Sequence, residues 1–417
     1  MKRSEQRILT THVGSLIRPK TLLDAAKDSD PAHRPAYDRE LRRAVAEVVA
    51  QQANAGIDVV NDGEFGKSGW ANYSLERLSG FERRPDKLYP AVRLGRDRIR
   101  FAEFMAAEFP RGTVGTPGHA CVGAITYHGQ DSIDRDLDNL KAGVAAVAVE
   151  DAFFTAVAPA SVGYDAANEH YASERDYVFA IASAMREEYL AIHNAGFVLQ
   201  VDDAVLANMY DHLVSESPQR YREWAELRVD ALNHALDGIP EERIRYHVCF
   251  GSWHVPHVAD AQLEDIVDLI LKVKAGAYSI EAANVRHEHE WYVWQKVKLP
   301  AGKILIPGVV THHTTTVEHP RLVSERIVTF AKLVGRENVI AGTDCGFAQS
   351  QDVQRVHPQV MWASSRASPK VRASPAGSCG AADPFVPALQ PEDQLDFAFV
   401  FPREAFDVVG VHTGEVA

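Results

Sequence analysis

Three features of the sequence predict an α/β fold, and within that class a (β/α)8 TIM barrel: a single catalytic domain with an irregular C-terminal extension. Nine candidate strands alternate with helices between residues 7 and 341. Most of those strands are unbroken apolar runs, as in parallel sheets that are covered on both faces. Polar residues then gather at or just past the strand C-termini: Ser15, Glu64, Asp202, His247, Cys249, Glu281, His312 or His313, and Cys345. In a barrel those ends converge on one mouth. In an open sheet they would be strung along a crevice, and so many could not meet.

Taken in order, residues 7–13 read as a short strand closed by Gly14-Ser15. Residues 40–55 carry Leu41, Ala44, Val45, Val48, Val49 and Ala53 at helical spacing, with Gly56 where a C-terminal cap belongs. The strand 57–60 follows and delivers Asn61-Asp62-Gly63-Glu64. Residues 66–119 read as a long irregular excursion, with 121–126 as a strand belonging to it. Its arginines between 83 and 100 can serve an anionic substrate or simply face solvent. Residues 137–155 read as helix and 157–162 as the next strand. The amphipathic helix 174–194, ended by Gly196, leads to the strand 197–201 and Asp202-Asp203. Helices at 221–236, 263–274 and 320–333 alternate with strands at 244–249, 277–282, 304–310 and 339–341. Pro320 suits a first helical position, where a missing N–H costs nothing.

Past residue 362 the texture changes to Ser, Ala, Pro, Arg and Gly without helical period. Residues 1–362 are therefore expected to form the barrel, and 363–417 an atypical, disordered tail in which 395–400 can add a short strand. No eighth closing helix is evident there.

Composition narrows the function. The apolar fraction of 46% supports a large core, and a net charge of −13 disfavours nucleic acid and anionic membrane as partners. No apolar run is long enough to span a bilayer, and no signal core follows the basic start. Four widely separated cysteines do not read as a disulfide framework. A cytoplasmic protein in a reducing compartment is expected, where spaced Cys and His favour metal or catalysis.

His247-x-Cys249 places an imidazole and a thiol on the same side of a strand, because side chains alternate across it. With Glu281 and Cys345 arriving from later strand ends, the set matches a four-coordinate Zn2+ site. Cys121 and Cys379 are expected to be inert, and His287 and His289 to lie on a solvated helix start.

Over roughly residues 8–362 the sequence resembles the catalytic barrel of the cobalamin-independent methionine synthase family. The motifs are Thr10-Thr11-His12-Val13-Gly14-Ser15, Asp62-Gly63-Glu64-Phe65, Leu199-Gln200-Val201-Asp202-Asp203, His247-Val248-Cys249, Ile280-Glu281, Pro307-Gly308-Val309 and Thr343-Asp344-Cys345-Gly346. The resemblance implies zinc on His247, Cys249, Glu281 and Cys345, with a thiol substrate bound as thiolate. It implies that Gly14, Ser15, Glu64 and Asp202 hold the amino-acid end of homocysteine. A histidine after the Pro-Gly-Val strand would protonate the leaving amine of a methyltetrahydrofolate-type donor. Counting from Pro307 favours His313, and His312 stays open. Thr311 stands where the family has an aspartate, the excursion does not carry a recognisable folate-stacking segment, and the resemblance is to a barrel-only member.

The chemistry is coherent on its own terms. A free thiol with a pKa of about 8.5 is mostly protonated at neutral pH, and zinc deprotonates it. Two thiolates, a carboxylate and an imidazole leave the zinc site at a net charge of about −1, which keeps a bound thiolate nucleophilic; hydrolytic sites favour neutral histidines instead. A zinc-dependent methyltransferase acting on homocysteine is the expected function. A zinc thiol transferase that opens another electrophile, as in epoxyalkane:coenzyme M transferase, and a non-catalytic zinc- or thiol-binding barrel are the alternatives. Small molecules are the expected partners; the sequence does not fix an oligomeric state.

Overall fold

The apolar runs become eight parallel strands: β1 (Leu9–Thr10), β2 (Val59–Val60), β3 (Asp151–Val157), β4 (Val198–Asp203), β5 (Ile244–Val248), β6 (Ala277–Ile280), β7 (Ile304–Val310) and β8 (Ile340–Thr343). The computed structural model describes residues 1–28, 30–88, 95–108, 117–162, 166–251, 254–312, 314–351 and 355–366. All of them fall in one unit, Met1–Arg372.

From β2 to β8 each strand pairs with the next, and β8 pairs back onto β1 through Leu9↔Ile340 and Thr10↔Ala341. Between β1 and β2 the ring is joined by the Asp58 N–H donating to the Thr10 carbonyl at 3.0 Å. The Thr11 hydroxyl adds a bond to the Val59 carbonyl at 2.9 Å. The strands are buried along nearly their whole length, as β7 shows with all its residues inside. That is why they read as continuous apolar runs.

Inside the ring, Leu9, Ala277, Ile304, Ile306 and Ile340 form one apolar cluster, and Val59, Phe153 and Val198 another. Arg245, fully buried, lies among the inward-facing side chains and donates to Thr11 Oγ1 (3.0 Å) and to the His12 carbonyl (2.9 Å). Its guanidinium sits 4.0 Å from the centre of the Phe153 ring. Burial pulls its pKa down to about 9. Because side chains alternate along β5, Arg245, His247 and then Cys249 face the interior in succession.

Helices cover the outside. In Glu174–Asn194 the Ser173 hydroxyl caps the Asp176 N–H at 3.0 Å, acidic residues fill the first turn, and Ile181, Met185, Tyr189 and Ile192 pack inward. Gly56 and Gly196 take positive φ (84° and 91°) just past their helices, the left-handed conformation that such ends require.

Several expectations shift. Residues 137–155 do not form one helix: the helix is Gln130–Val144, and β3 begins at Asp151, so the strand expected at 157–162 lies earlier and gives way to a short helix, Pro159–Val162. The sequence Ala152-Phe153-Phe154-Thr155-Ala156-Val157 is apolar but for Thr155, and such a run carries no period to separate strand from buried helix. The excursion is less irregular than expected. Phe81–Leu88, Pro117–Cys121 and Ala166–Asn168 form a three-stranded sheet of their own, so its strand ends at Cys121, where the expected 121–126 begins.

A helix at Pro358–Arg366 runs across the expected boundary at 362. Met361 is buried and its sulfur accepts the Ile17 N–H at 3.4 Å. The remainder of the expected tail, 367–417, with the strand at 395–400 and Cys379, lies outside the described residues.

Candidate active site

At the C-terminal ends of the strands a cavity of about 270 Å³ opens, bounded by Val13 and Ser15 after β1, Glu64 after β2, Asp202 on β4, His247 and Cys249 on and after β5, and Cys345 after β8. Ligand atoms of His247, Cys249 and Cys345 lie within 4.8 Å of one another, all buried, and the two sulfurs are 3.4 Å apart. His247 Nδ1 meets Ser279 Oγ at 3.3 Å, while its buried Nε2 has no hydrogen-bond partner among the described residues. A buried imidazole nitrogen without a partner is costly in a closed protein interior, and beside two thiols it suits a soft cation. The Cys345 thiol as hydrogen-bond partner, and then burial, hold Cys249 well above the usual thiol range. Two adjacent buried thiols cannot both ionise without a compensating positive charge. The donor set fits a metal.

Glu281 stands beside this cluster, not inside it. Its Oε1 accepts the Phe250 N–H (2.9 Å) and its Oε2 the Asn284 side-chain amide (2.9 Å). Burial first, then the nearby Cys249 and Asp344, push its carboxyl well above the ordinary range. The same Asn284 amide reaches Asp344 Oδ2 at 3.2 Å, and Asp344 Oδ1 accepts the N–H groups of Ala282 and Ala283 at 2.8 Å each. Asp344 thereby ties the loop after β6 to the loop after β8, the two loops that carry Glu281 and Cys345.

The Gly14-Ser15 turn is held from both sides. His12 Nδ1 accepts the Gly14 N–H (3.2 Å), which leaves Nε2 to donate to Gln52 Oε1 (2.8 Å). Gly14 has φ 140°, and a Cβ there would press on Thr155 Cγ2 at 2.7 Å. The Ser15 carbonyl accepts the Phe347 N–H at 2.8 Å, and a Cβ at Gly346 would collide with Ser15 Oγ. The β1 turn and the Cys345 loop are thus interlocked.

Glu64 itself has a positive φ of 60°, rare for a residue with a side chain. Its N–H is held by Asp62 Oδ1 at 3.0 Å, and its buried Oε2 has no hydrogen-bond partner among the described residues. Strain of this kind persists where surrounding structure enforces it. Here the buried Arg18 grips the carbonyls of Glu64 (2.7 Å) and Lys67 (2.9 Å), and Lys67 Nζ donates to the Thr155 carbonyl at 2.6 Å. Asp202 lies in register with His247 and accepts from Gln200 at 2.6 Å. Burial, then the charge of Glu64, push its carboxyl up to about 7.

Asp203 differs from its neighbour. Its oxygens accept from Val205 N, Leu206 N, Ser161 Oγ and Tyr246 Oη, which starts the helix Val205–Glu216 and leaves the carboxylate occupied by the fold.

Other candidates fall differently. His312 is buried but is not among the cavity's described lining residues, and His313 lies outside the described residues. His287 is not solvated, as expected, but buried, bonding Glu290 (2.8 Å) and Asp260 (3.4 Å). Burial opposes its charge, yet those two partners raise its pKa to about 10. His289 is exposed, and Cys121 is buried with its thiol on the Gly123 carbonyl. Of the excursion arginines, Arg84 pairs with Glu169 and Arg96 with Asp211, away from the cavity. Residues lining the cavity that sequence reasoning missed include Trp70, Asn208, Gln349 and Arg355. No described helix is long and apolar enough to cross a membrane.

Residues 158–367 match the family described as cobalamin-independent synthase, catalytic domain. The methionine synthase of Thermococcus kodakarensis is 23% identical over 343 residues, covering 81% of this chain and 86% of that protein. That of Pyrococcus furiosus is 25% identical over 344 residues, covering 81% and 85%. In fold, a B12-independent methionine synthase from a Shewanella species, solved with selenomethionine, superposes with a TM-score of 0.66 at 16% identity, over 87% of this chain and 95% of that one. A putative vitamin-B12 independent methionine synthase from Listeria monocytogenes gives 0.58 at 18% identity, over 87% and 98%.

Proposed function

Because the chain belongs to the cobalamin-independent synthase catalytic-domain family, we propose that it is a zinc-dependent methyltransferase that methylates the sulfur of homocysteine to give methionine. The observation that carries this reading is the cluster of His247, Cys249 and Cys345, with ligand atoms within 4.8 Å of one another in the cavity that Ser15, Glu64 and Asp202 also line. His247, Cys249 and Cys345 would hold the metal, with Glu281 as the fourth ligand. When bound, zinc supplies the charge that keeps a substrate thiol ionised at neutral pH. The remaining work belongs to the chain.

Glu64 and Asp202 receive the ammonium group of the amino acid, which suits the unpartnered Glu64 oxygen and relieves the repulsion between the two carboxylates. The Gly14-Ser15 turn closes over the same end of the substrate. The apolar wall of Trp70, Leu75, Val162 and Val205 limits water around the reacting sulfur. The methyl donor in this reading is of the methyltetrahydrofolate type, and His312 or His313 protonates its leaving amine. His312 would have to reach the donor from outside the described cavity lining, so this assignment leans on the motif after β7.

X-ray absorption on the metal tests the reading. The expected result is zinc at one equivalent per chain, with two sulfur ligands rising to three when homocysteine is added, and methyl transfer from the folate donor. Zinc whose sulfur count ignores homocysteine would point to another thiol, with coenzyme M the first to try. A protein that takes up no zinc would end the proposal.

A further inference from the structure

Within the ring, one layer of polar side chains lies level with His247. In the parallel register Asp202 of β4 stands beside His247 of β5, and His247 beside Ser279 of β6. Along β6 the inward positions are Ala277, Ser279 and then Glu281, just past the strand, because side chains alternate. Ala277, one layer deeper, is apolar and joins the cluster inside the ring. Ser279 is fully buried as well, and for packing alone an alanine would serve there. A hydroxyl taken out of water needs a partner. The one hydrogen bond of this hydroxyl among the described residues is to His247 Nδ1, at 3.3 Å. Asp202, the other polar neighbour in the layer, is engaged by Gln200 Nε2 at 2.6 Å.

The two nitrogens of the His247 ring therefore have separate surroundings. Nδ1 meets Ser279 Oγ, and Nε2 is buried without a hydrogen-bond partner among the described residues. A neutral imidazole carries its proton on one nitrogen and a lone pair on the other, and the bond made by the first fixes the role of the second. With Nδ1–H donating to Ser279 Oγ, the lone pair falls on Nε2, the nitrogen that the fold leaves unused. The type of partner matters too. A carboxylate at Nδ1 would push more charge onto the ring, beside a ligand set that already carries two thiolates and a carboxylate. A hydroxyl orients the ring without adding charge.

We propose that Ser279 is a positioning residue for the metal centre: it accepts the Nδ1 proton of His247, fixes the tautomer and rotation of the ring, and so presents Nε2 to the ion. The assignment rests on the reading of His247, Cys249 and Cys345 as metal ligands.

Two measurements on the full chain test it, neither of which depends on turnover. The first is nuclear magnetic resonance of wild type containing isotopically labelled histidine and loaded with spin-active cadmium in place of zinc. A direct metal–nitrogen splitting is expected at Nε2 of one histidine, with the proton of that ring on Nδ1. The second is zinc competition against a coloured chelator in Ser279→Ala, which removes only the hydroxyl. Zinc affinity should fall by about 10- to 100-fold, the usual effect of losing the group that orients a ligating histidine. The melting temperature of the metal-free variant should match that of metal-free wild type, because the alanine leaves the packing in place.

A metal splitting at Nδ1 overturns the assignment without any variant. So does a Ser279→Ala protein whose zinc affinity stays within about threefold of wild type, far short of an orienting group's usual effect. An affinity loss accompanied by a lower melting temperature of the metal-free variant would make Ser279 a packing residue and overturns it equally. Wild type that takes up neither zinc nor cadmium overturns the proposed function itself, and the assignment with it.

Discussion

Asn284 joins Glu281 to Asp344 through one amide group, at 2.9 and 3.2 Å. Removing that amide frees two buried carboxylates that are already pushed toward protonation by burial. Asn284→Ala should therefore weaken zinc affinity by about 10- to 100-fold, as is usual for groups that orient metal ligands. Competition with a coloured chelator measures it, and an unchanged affinity would separate Glu281 from the metal. His12 makes a different kind of claim. Burial lowers its pKa from 6.5 to about 4. Between those values the unfolded chain takes up a proton and the folded chain does not, so stability falls as pH drops through that window. The loss approaches about 3 kcal/mol at the acid end, and it is absent above pH 6.5. Denaturant titrations of wild type and His12→Gln from pH 4.5 to 7.5 should show a difference that changes with pH; a constant difference would remove His12 as the cause. The residue scale was also the most legible in the sequence. His247, Cys249 and Cys345 announce themselves by ligand type and by their place at strand ends. Arg355 does not, because it follows no strand and sits behind a loop whose path only tertiary structure fixes. His287 was misread for the same reason: its partner Asp260 lies 27 residues away, in another loop.

Among the elements, the excursion after β2 depends on one buried ionic knot. Arg77 donates to Glu188 at 3.0 Å and to Asp136 at 2.8 Å, with all three side chains at most 5% exposed. Tyr73 and Tyr127 complete the Glu188 carboxylate at 2.8 Å each. The knot fastens the segment around 73–77 to the helices Gln130–Val144 and Glu174–Asn194. Arg77→Met would strand two buried carboxylates, and such losses typically cost about 3–5 kcal/mol. Urea unfolding should show that loss, together with earlier proteolysis between residues 66 and 128; a loss below about 1 kcal/mol would mean that water reaches the site. None of this was readable beforehand, since residues 77, 136 and 188 share no local pattern. The strands were readable because burial on both faces leaves a simple apolar run. The exception was β3, whose run of Ala, Phe and Val is equally compatible with a buried helix. The helix Val205–Glu216 has only one local signal in the sequence, Asp203 two residues ahead of it, the kind of acceptor that starts a helix.

For the molecule as a whole, His247, Cys249 and Cys345 come from two separate strand ends, those of β5 and β8, so the cluster exists only when the ring is closed. A metal that binds the folded chain and not the unfolded one stabilises it by mass action, by about 2.7 kcal/mol when free metal exceeds Kd a hundredfold. Melting curves with zinc and with a chelator should differ accordingly, and the difference should vanish in Cys249→Ser. Equal melting temperatures for metal-loaded and stripped protein would mean that the three side chains meet without holding an ion.

The spacing of the two thiols also has a consequence in time. Cys249 and Cys345 are 96 positions apart, on β5's exit and β8's exit. At about 5–20 residues per second, a ribosome takes roughly 5–20 s to travel between them. During that interval the first thiol is already made and its partner is not. The growing chain cannot bring His247, Cys249 and Cys345 together until translation has passed the eighth strand, so the cluster forms only once all eight strands have been made.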